Sequence, residues 1–429
     1  MAEQTPDSLT SSITSRSTTR RAVVGVGLGA VALATAACST SAGQQEEKQS
    51  QSEVTPLVDT RVAFYGKRQA GIDTPAQAHA VFIALDLCEG TNTQALIRLM
   101  RVLTADAAKL CAGEPSLVDQ EPELAAVAAN LTVTFGFGEK IFDIAAPAAK
   151  PQWLKPLPAF DEIDRLEDAW NDGDLLLQLC ANDRMTLAHA QRTLLKGARP
   201  FVTVRWVQDG FLRAHGSEKP GETPRNLFGQ VDGTVNPRQE DGTIDRYVWG
   251  ENVEGLTPWV PGGTSLVIRR IHMNLDTWDL SDRPAREDAV GRKLSNGAPL
   301  TGEHEHDKAD LEAVNELGFE VIAPYAHIRR AAPEKDIERI LRRPYNYDLP
   351  VAAASGISQH GDTAGGISQS GLIFCSYQVD PLAQFVPIQR RLATLDMLNT
   401  WTVPIGSAVF ALPPGCAPGQ YIGQQLFEG

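Results

Sequence analysis

The sequence predicts an α+β fold made of two similar units that follow each other along the chain. Three observations support this prediction: the length, the alternation of strand-like and helix-like segments, and the repetition of that alternation. With 429 residues, of which 42% are hydrophobic, the chain can bury two ordinary cores, because domains usually contain about 100–200 residues. Short runs rich in β-branched and aromatic residues alternate with helical patterns in both parts of the chain.

The first unit is predicted to contain four strands and two helices. The strands are Ala80–Leu87, Asn130–Phe137, Asp174–Cys180 and Phe201–Phe211, and the helices are Thr93–Cys111 and Met185–Leu195. In the second unit we predict strands at Ser265–Met273, Leu372–Val379 and Ala408–Leu412, and helices at Lys308–Leu317, Ile337–Leu341 and Leu382–Met397. This β-α-β-β-α-β order, present twice, favours two ferredoxin-like units with antiparallel sheets over a doubly wound parallel sheet.

A polar stretch rich in glycine and proline, residues 215–261, separates the two patterns. We therefore predict an N-terminal domain at residues 57–225 and a C-terminal domain at residues 226–429. The connection is longer than most loops in compact proteins, and long connections are often functional.

The N-terminus has the pattern of an export signal. Arg20 and Arg21 precede an apolar run, Ala22–Ala37, which is too short and too weakly hydrophobic for a membrane span of about 20 residues. An arginine pair before a mild apolar stretch predicts a twin-arginine signal over residues 1–38 and an extracytoplasmic location: periplasmic, associated with the cell envelope, or secreted. Both lipidation of Cys38 and plain cleavage before it remain open. Residues 39–56 are predicted to form a disordered tether.

Charge and cysteine content exclude some classes of function. The chain has 53 acidic and 39 basic residues, a net charge of −14, which disfavours binding of nucleic acid or anionic lipid through a basic face. None of the five cysteines after the signal forms a Cys-x-x-Cys pair. This favours buried thiols over a metal cluster and leaves open one disulfide that involves Cys111 or Cys416.

Three polar segments carry residues that could take part in binding or catalysis. Asp232 lies among glycines in residues 225–234, where the backbone can turn tightly and approach a flat ligand, although an Asp-Gly pair is more often a simple turn. His327 stands beside two arginines, a pattern that suits an axial ligand of haem iron with propionate partners. Arg342 and Arg343 follow an apolar segment and precede a proline, which is also typical of a helix end.

In this order, the three segments resemble the dye-decolourising peroxidase family. The resemblance extends over nearly the whole chain after the signal. Residues 64–75, FYGKRQAGIDTP, resemble the family's N-terminal motif, except that Arg68 replaces a histidine often found there. Residues 131–138, 173–178 and 371–378 are similar to its strands. With the predicted signal, the chain resembles the exported subfamily that includes the deferrochelatase/peroxidase proteins.

The resemblance implies one haem b per chain, bound mainly by the C-terminal half. Asp232 would be the distal acid and base, and Arg342 the distal arginine, with Arg343 as the alternative. His327 would ligate the iron, with its other ring nitrogen donating to a carboxylate. Asp396 is the candidate for that carboxylate, and the alternative is an exposed acid at a helix end.

Further residues would line the haem by the same resemblance. Phe374 would pack over the distal face, or else belong to the sheet core, and Arg329 would pair with a propionate. Arg342 would also contact the haem. Backbone around the two loops would contribute Gly233, Thr234, Val235, Ala332, Pro333 and Glu334.

The implied activity is oxidation of phenolic, dye-like or metal substrates by hydrogen peroxide through a ferryl intermediate. An alternative is a haem-handling protein outside the cytoplasm that releases iron from haem and has only incidental peroxidase activity.

Overall fold

A computed structural model describes residues 55–117, 119–219, 221–350 and 368–428. The predicted export signal, Cys38 and nearly all of the predicted tether lie outside these residues. Within the described ranges, every helix is too short or too polar to cross a membrane.

The first unit is a four-stranded antiparallel sheet in the order β4-β1-β3-β2. All four predicted strands are confirmed, and each end lies within two residues of its predicted position. The strands are β1 (His79–Leu87), β2 (Thr132–Phe137), β3 (Leu175–Ala181) and β4 (Val202–Phe211), and the helices are α1 (Thr93–Cys111), α2 (Pro122–Ala125), α3 (Glu139–Ala145) and α4 (Arg184–Ala198).

Helix α1 shows why the N-terminal pattern was readable. The side chain of Asn92 caps the helix by accepting a hydrogen bond from the Ala95 N–H at 3.0 Å, which satisfies one of the free donors of the first turn. Leu96, Leu99 and Leu103 recur at helical spacing and are fully buried against the sheet. The amphipathic periodicity and the cap therefore agree, and the predicted bounds of this helix are confirmed.

The second unit repeats the same strand order, now as β9-β5-β8-β7. This confirms the predicted duplication of an antiparallel ferredoxin-like unit. Its strands are β5 (Thr264–Met273), β6 (Leu341–Arg342), β7 (Tyr345–Leu349), β8 (Gln369–Gln378) and β9 (Thr402–Leu412). Its helices are α5 (Thr243–Tyr247), α6 (Leu275–Trp278), α7 (Arg283–Val290), α8 (His327–Arg330), α9 (Phe385–Leu395) and α10 (Gln424–Phe427).

Two predicted helices of the second unit are wrong. Residues 308–317 form loops, because the side chains of Asp310 and Asn315 accept hydrogen bonds from the N–H groups of Glu312 and Leu317, both at 3.0 Å. Such local bonds compete with helical ones. Residues 337–341 form a turn that leads into β6, where Leu341 pairs with Tyr377 of β8. The second strand of this unit was not predicted, because Pro344 divides it into the short strands β6 and β7.

The two sheets join at both of their outer strands. Phe137 of β2 pairs with Ala411 of β9, and Phe211 of β4 pairs with Asn346 of β7. Because β5 also pairs with β8, eight of the nine described strands form a closed ring, and the short β6 pairs with β8 beside β7. This arrangement leaves few free edges. Its interior is filled by large side chains from both units, including Phe82, Leu176, Tyr345, Tyr377 and Phe410.

The described cysteines, Cys88, Cys111, Cys180, Cys375 and Cys416, are all free thiols, so none of them forms the disulfide that the sequence left open. Burial raises the pKa of Cys111 to about 12 and that of Cys416 to about 11. These thiols remain protonated at neutral pH and serve as packing groups.

Candidate active site

Asp232 stands at the end of a small hairpin-like turn between β4 and α5. Arg225 and Val231 form an isolated antiparallel bridge, and Gly229 has a φ of +77°, which favours glycine at the turn. The N–H of Asp232 donates to the carbonyl of Pro224 at 2.8 Å. The backbone on both sides of the carboxylate is thus held by the turn.

The carboxylate of Asp232 lies against the guanidinium of Arg342. Their Oδ1 and Nη1 atoms are 2.8 Å apart, and the side chains are 10% and 23% exposed. Oδ1 is buried and accepts no hydrogen bond from the described residues. The other oxygen, Oδ2, accepts a bond from Asn226 at 3.3 Å. One carboxylate oxygen therefore faces a positive charge and keeps its acceptor capacity.

The side chains of Arg342 and Arg343 point to opposite faces of the sheet, because neighbouring residues of a strand alternate between the two faces. Arg342 pairs with Ser376 of β8, so its side chain lies on the outer face of the sheet. Arg343 points into the ring, where it is buried and donates to the side chain of Gln77, to the carbonyl of Thr74 at 3.3 Å and to the sulfur of Cys180 at 3.2 Å. Of the two arginines, only Arg342 lies beside Asp232.

The core position of Arg343 leads to a stability prediction. Replacing it with leucine leaves the buried side-chain oxygen of Gln77 and the part-buried carbonyl of Thr74 without this donor. We expect the free energy of unfolding to fall by about 2–5 kcal/mol, since each unsatisfied buried group costs about 1–3 kcal/mol. Urea denaturation measures this change. The control is Arg192→Leu, since Arg192 is 66% exposed and pairs with Glu121 at the surface; an equal loss in both variants contradicts the assignment.

His327 is the first residue of α8 and is oriented by a buried carboxylate. Its Nδ1 lies 2.6 Å from Oδ2 of Asp396, and the Asp396 side chain is only 4% exposed. Asp396 follows α9, and its Oδ1 accepts a hydrogen bond from the Leu398 N–H at 3.0 Å. The second ring nitrogen of His327 has no hydrogen-bond partner among the described residues. An imidazole held at Nδ1 and open at Nε2 suits a metal ligand.

An apolar sheet face lies between these two groups of residues. Leu372 and Phe374 of β8 are half-buried on the same face as Ser376, the partner of Arg342. Leu372 packs in an apolar cluster with Ile328, next to His327, and with Phe228 of the Asp232 loop. The face is thus bordered by the Asp232–Arg342 pair and by the His327 segment, and its apolar side chains suit a large flat ligand.

The structure places the remaining predicted site residues around the two loops. Gly233 has a φ of +134°, Thr234 donates to Oε1 of Glu305 at 2.9 Å, and Val235 is 70% exposed. In the second loop, the carbonyl of Ala332 accepts a bond from Arg391 at 2.9 Å, and Glu334 is exposed beside the same arginine, with Pro333 between them.

Arg329 is engaged elsewhere in the described structure. Its guanidinium donates to the carbonyls of Leu311 and Ile322, each at 2.6 Å, and lies 3.5 Å from Glu320. These contacts fix the segment before α8. They do not support its predicted pairing with a propionate.

Three asparagines of the site were missed from the sequence. Asn226 touches the Asp232 carboxylate, Asn236 bonds the backbone of Arg342, and Asn346 bonds the backbone of Leu227. Polar loop asparagines are common turn formers. Their spacing from Asp232 and Arg342 is the only sequence signal, and it does not reveal contacts across the fold.

Comparisons with known proteins show the family of the chain. The model of the Dyp-type peroxidase N-terminal domain matches residues 69–212, and the model of the C-terminal domain matches residues 223–417. The chain belongs to the Dyp-type peroxidase family. It is 38% identical to a dye-decolorizing peroxidase of Thermobifida fusca, with 84% of each chain covered. It is 35% identical to a deferrochelatase of Yersinia pseudotuberculosis, with 85% of this chain and 84% of the relative covered.

Solved structures show the same relationship. A DyP-type peroxidase from Cellulomonas bogoriensis is 49% identical and aligns with a TM-score of 0.81 over 87% of this chain and all of the other. Ferric DtpA from Streptomyces lividans is 36% identical, with a TM-score of 0.78 over 88% of this chain and all of the other. The chain is therefore a haem-dependent peroxidase, as the resemblance implied.

Proposed function

We propose that His327 would ligate the iron of a single haem b, and that Asp232 and Arg342 would act on hydrogen peroxide. The observation that supports this proposal best is the buried Oδ1 of Asp232, which accepts no hydrogen bond from the described residues and lies 2.8 Å from the Arg342 guanidinium. The open Nε2 of His327 and the apolar face between the two groups fit the haem.

Asp232 and Arg342 have separate roles in the proposed reaction with peroxide. Asp232 removes a proton from bound hydrogen peroxide and returns it to the departing oxygen, which requires a carboxylate within hydrogen-bond range, directly or through one water. Arg342 favours the peroxide anion and the negative charge that develops as the O–O bond breaks. Haem, when bound, supplies the redox chemistry.

On the proximal side, Asp396 orients His327. The bond from Nδ1 to a buried carboxylate fixes the tautomer and makes the imidazole a stronger electron donor. Asp396 is itself held by the Leu398 N–H, so the orientation of the ring depends on the turn after α9. The half-buried Phe374, whose ring centre lies 5.8 Å from that of Phe385, is proposed to pack over the distal face of the haem.

The haem would rest mainly on the C-terminal half, with the backbone of Gly233, Thr234 and Val235 on one side and of Ala332, Pro333 and Glu334 on the other. Its electron donors are proposed to be phenolic, dye-like or metal reductants. Optical spectra test the proposal: the purified protein should show a Soret band that changes on addition of peroxide and returns on addition of a phenol. Protein that binds haem and shows neither change overturns it.

A second candidate activity is release of iron from haem. It is favoured by the 35% identity to a protein named deferrochelatase over 85% of this chain. Anaerobic incubation with haem separates the two activities. Iron release with an intact porphyrin supports haem handling, whereas peroxide-dependent oxidation without release supports the peroxidase alone.

Export is proposed on the sequence of the N-terminus. The pair Arg20 and Arg21 before the apolar run Ala22–Ala37 supports a twin-arginine signal, and Cys38 is proposed as a site of lipid attachment. Replacing both arginines with lysine should retain the protein in the cytoplasm, and Cys38→Ser should release it from the membrane fraction. Unchanged fractionation contradicts each part separately.

A further inference from the structure

Two asparagine side chains connect the β6–β7 segment, which carries Arg342, to the loop that carries Asp232. Asn236, four residues after Asp232, bonds the backbone of Arg342 on both sides: its Nδ2 donates to the Arg342 carbonyl at 2.6 Å, and its Oδ1 accepts from the Arg342 N–H at 3.0 Å. By bonding both the N–H and the carbonyl of Arg342, the side-chain amide satisfies the same backbone groups that a neighbouring strand would satisfy.

The second asparagine makes the same type of contact in the opposite direction. Asn346, four residues after Arg342, is 4% exposed. Its Oδ1 accepts from the Leu227 N–H at 3.1 Å, and its Nδ2 donates to the Arg225 carbonyl at 3.4 Å. Each segment thus contributes one asparagine side chain that bonds the backbone of the other segment.

We propose that Asn236 and Asn346 are positioning residues that hold the Asp232 carboxylate and the Arg342 guanidinium in register for the reaction with peroxide. This inference rests on the proposed function of that pair. We call the four hydrogen bonds of Asn236 and Asn346 the asparagine clamp.

The need for such a clamp follows from the fold. Arg342 belongs to the two-residue strand β6, which Pro344 separates from β7, and the Asp232 loop forms only an isolated bridge, between Arg225 and Val231. Among the described residues, the Asp232 loop has no ladder beyond this bridge, whereas β6 and β7 both pair with β8. The Asp232–Arg342 ion pair joins the ends of two side chains, so it does not by itself set the position of either backbone. Backbone-directed amide bonds supply a defined register.

The test combines hydrogen exchange in the haem-free protein with peroxide kinetics in the haem-loaded protein. In Asn236→Ala, the Arg342 amide loses its acceptor, and we expect its exchange to become about tenfold faster, since a hydrogen bond contributes roughly one factor of ten. In Asn346→Ala, the same acceleration is expected at Leu227. Both variants should bind haem normally and react with peroxide about 10- to 100-fold more slowly.

Asn92→Ala is the matched control. It also removes a backbone-directed asparagine bond, at the cap of α1 in the other unit, and is expected to leave both exchange at these two amides and the peroxide rate unchanged. Asn236 is half-buried, so its variant provides the test if Asn346→Ala does not fold.

The outcomes distinguish the clamp from the proposed function. Unchanged exchange at Arg342 and Leu227 shows that the clamp does not hold the backbone, and faster exchange with an unaltered peroxide rate shows that it does not serve the reaction; either result overturns the inference. If the haem-loaded wild-type protein is itself inert to peroxide, the proposed function fails, whatever the exchange shows.

Discussion

His327→Ala is expected to lose at least nine-tenths of the bound haem. The substitution removes the imidazole whose Nδ1 is bonded to Asp396 and whose Nε2 has no hydrogen-bond partner among the described residues, and alanine offers no ligand in its place. Haem content per protein, measured by absorbance after reconstitution, checks the prediction. Retention of full haem content with an unchanged Soret band would move the axial ligand to another residue.

Asp396→Asn provides the matched control for this experiment. It keeps the imidazole and a side chain of the same shape but weakens the bond that orients the ring. We expect haem to remain bound, with an affinity about 10- to 100-fold lower, as is typical when a partner of a metal ligand is removed. A variant that loses haem as completely as His327→Ala would mean that Asp396 is needed for folding of the loop rather than for tuning of the ligand.

Arg342→Leu is expected to slow the reaction with peroxide by about 10²–10³-fold while haem content stays near that of the wild type. The arginine acts on charge that develops during the reaction, and removal of one such group usually has an effect of this size. Stopped-flow spectroscopy at several peroxide concentrations measures the second-order rate constant.

The comparison with Arg342→Lys separates charge from geometry. Lysine keeps the positive charge but lacks the planar fork of donors, so an intermediate rate is expected. If Arg342→Leu reacts as fast as the wild type, the role passes to Asp232 alone. Arg343 is not an alternative in that case, because its side chain lies inside the ring with Gln77 and Cys180.

The fold was predictable where local and tertiary preferences agree. Helix α1 has a cap, a regular apolar face and an end at the same residues, so its bounds were read correctly. The predicted helix at residues 308–317 failed because Asp310 and Asn315 bind their own backbone. The missed strands β6 and β7 are short, and their pairing with β8 depends on partners about 30 residues away in sequence; no local pattern reports such a contact.

Some features of the candidate site were also predictable from the sequence, and others were not. The sequence by itself determined the duplicated α+β fold, the family, and the residue types of the site: a carboxylate among glycines, a histidine beside arginines, and an arginine pair before a proline. These features depend on local chemistry and on the order of the segments, which the sequence records directly.

Only the tertiary structure decided which groups meet. It placed Arg342 against Asp232 and Arg343 in the core, since neighbouring residues of a strand point to opposite faces. It also decided between the two alternatives for Asp396, whose carboxylate lies 2.6 Å from Nδ1 of His327 across 69 positions, and showed that Asn236 and Asn346 join the Asp232 loop to the segment that carries Arg342. The physical reason is that hydrogen bonds and ion pairs act over about 3 Å in space, and distance along the chain does not reveal which groups come that close.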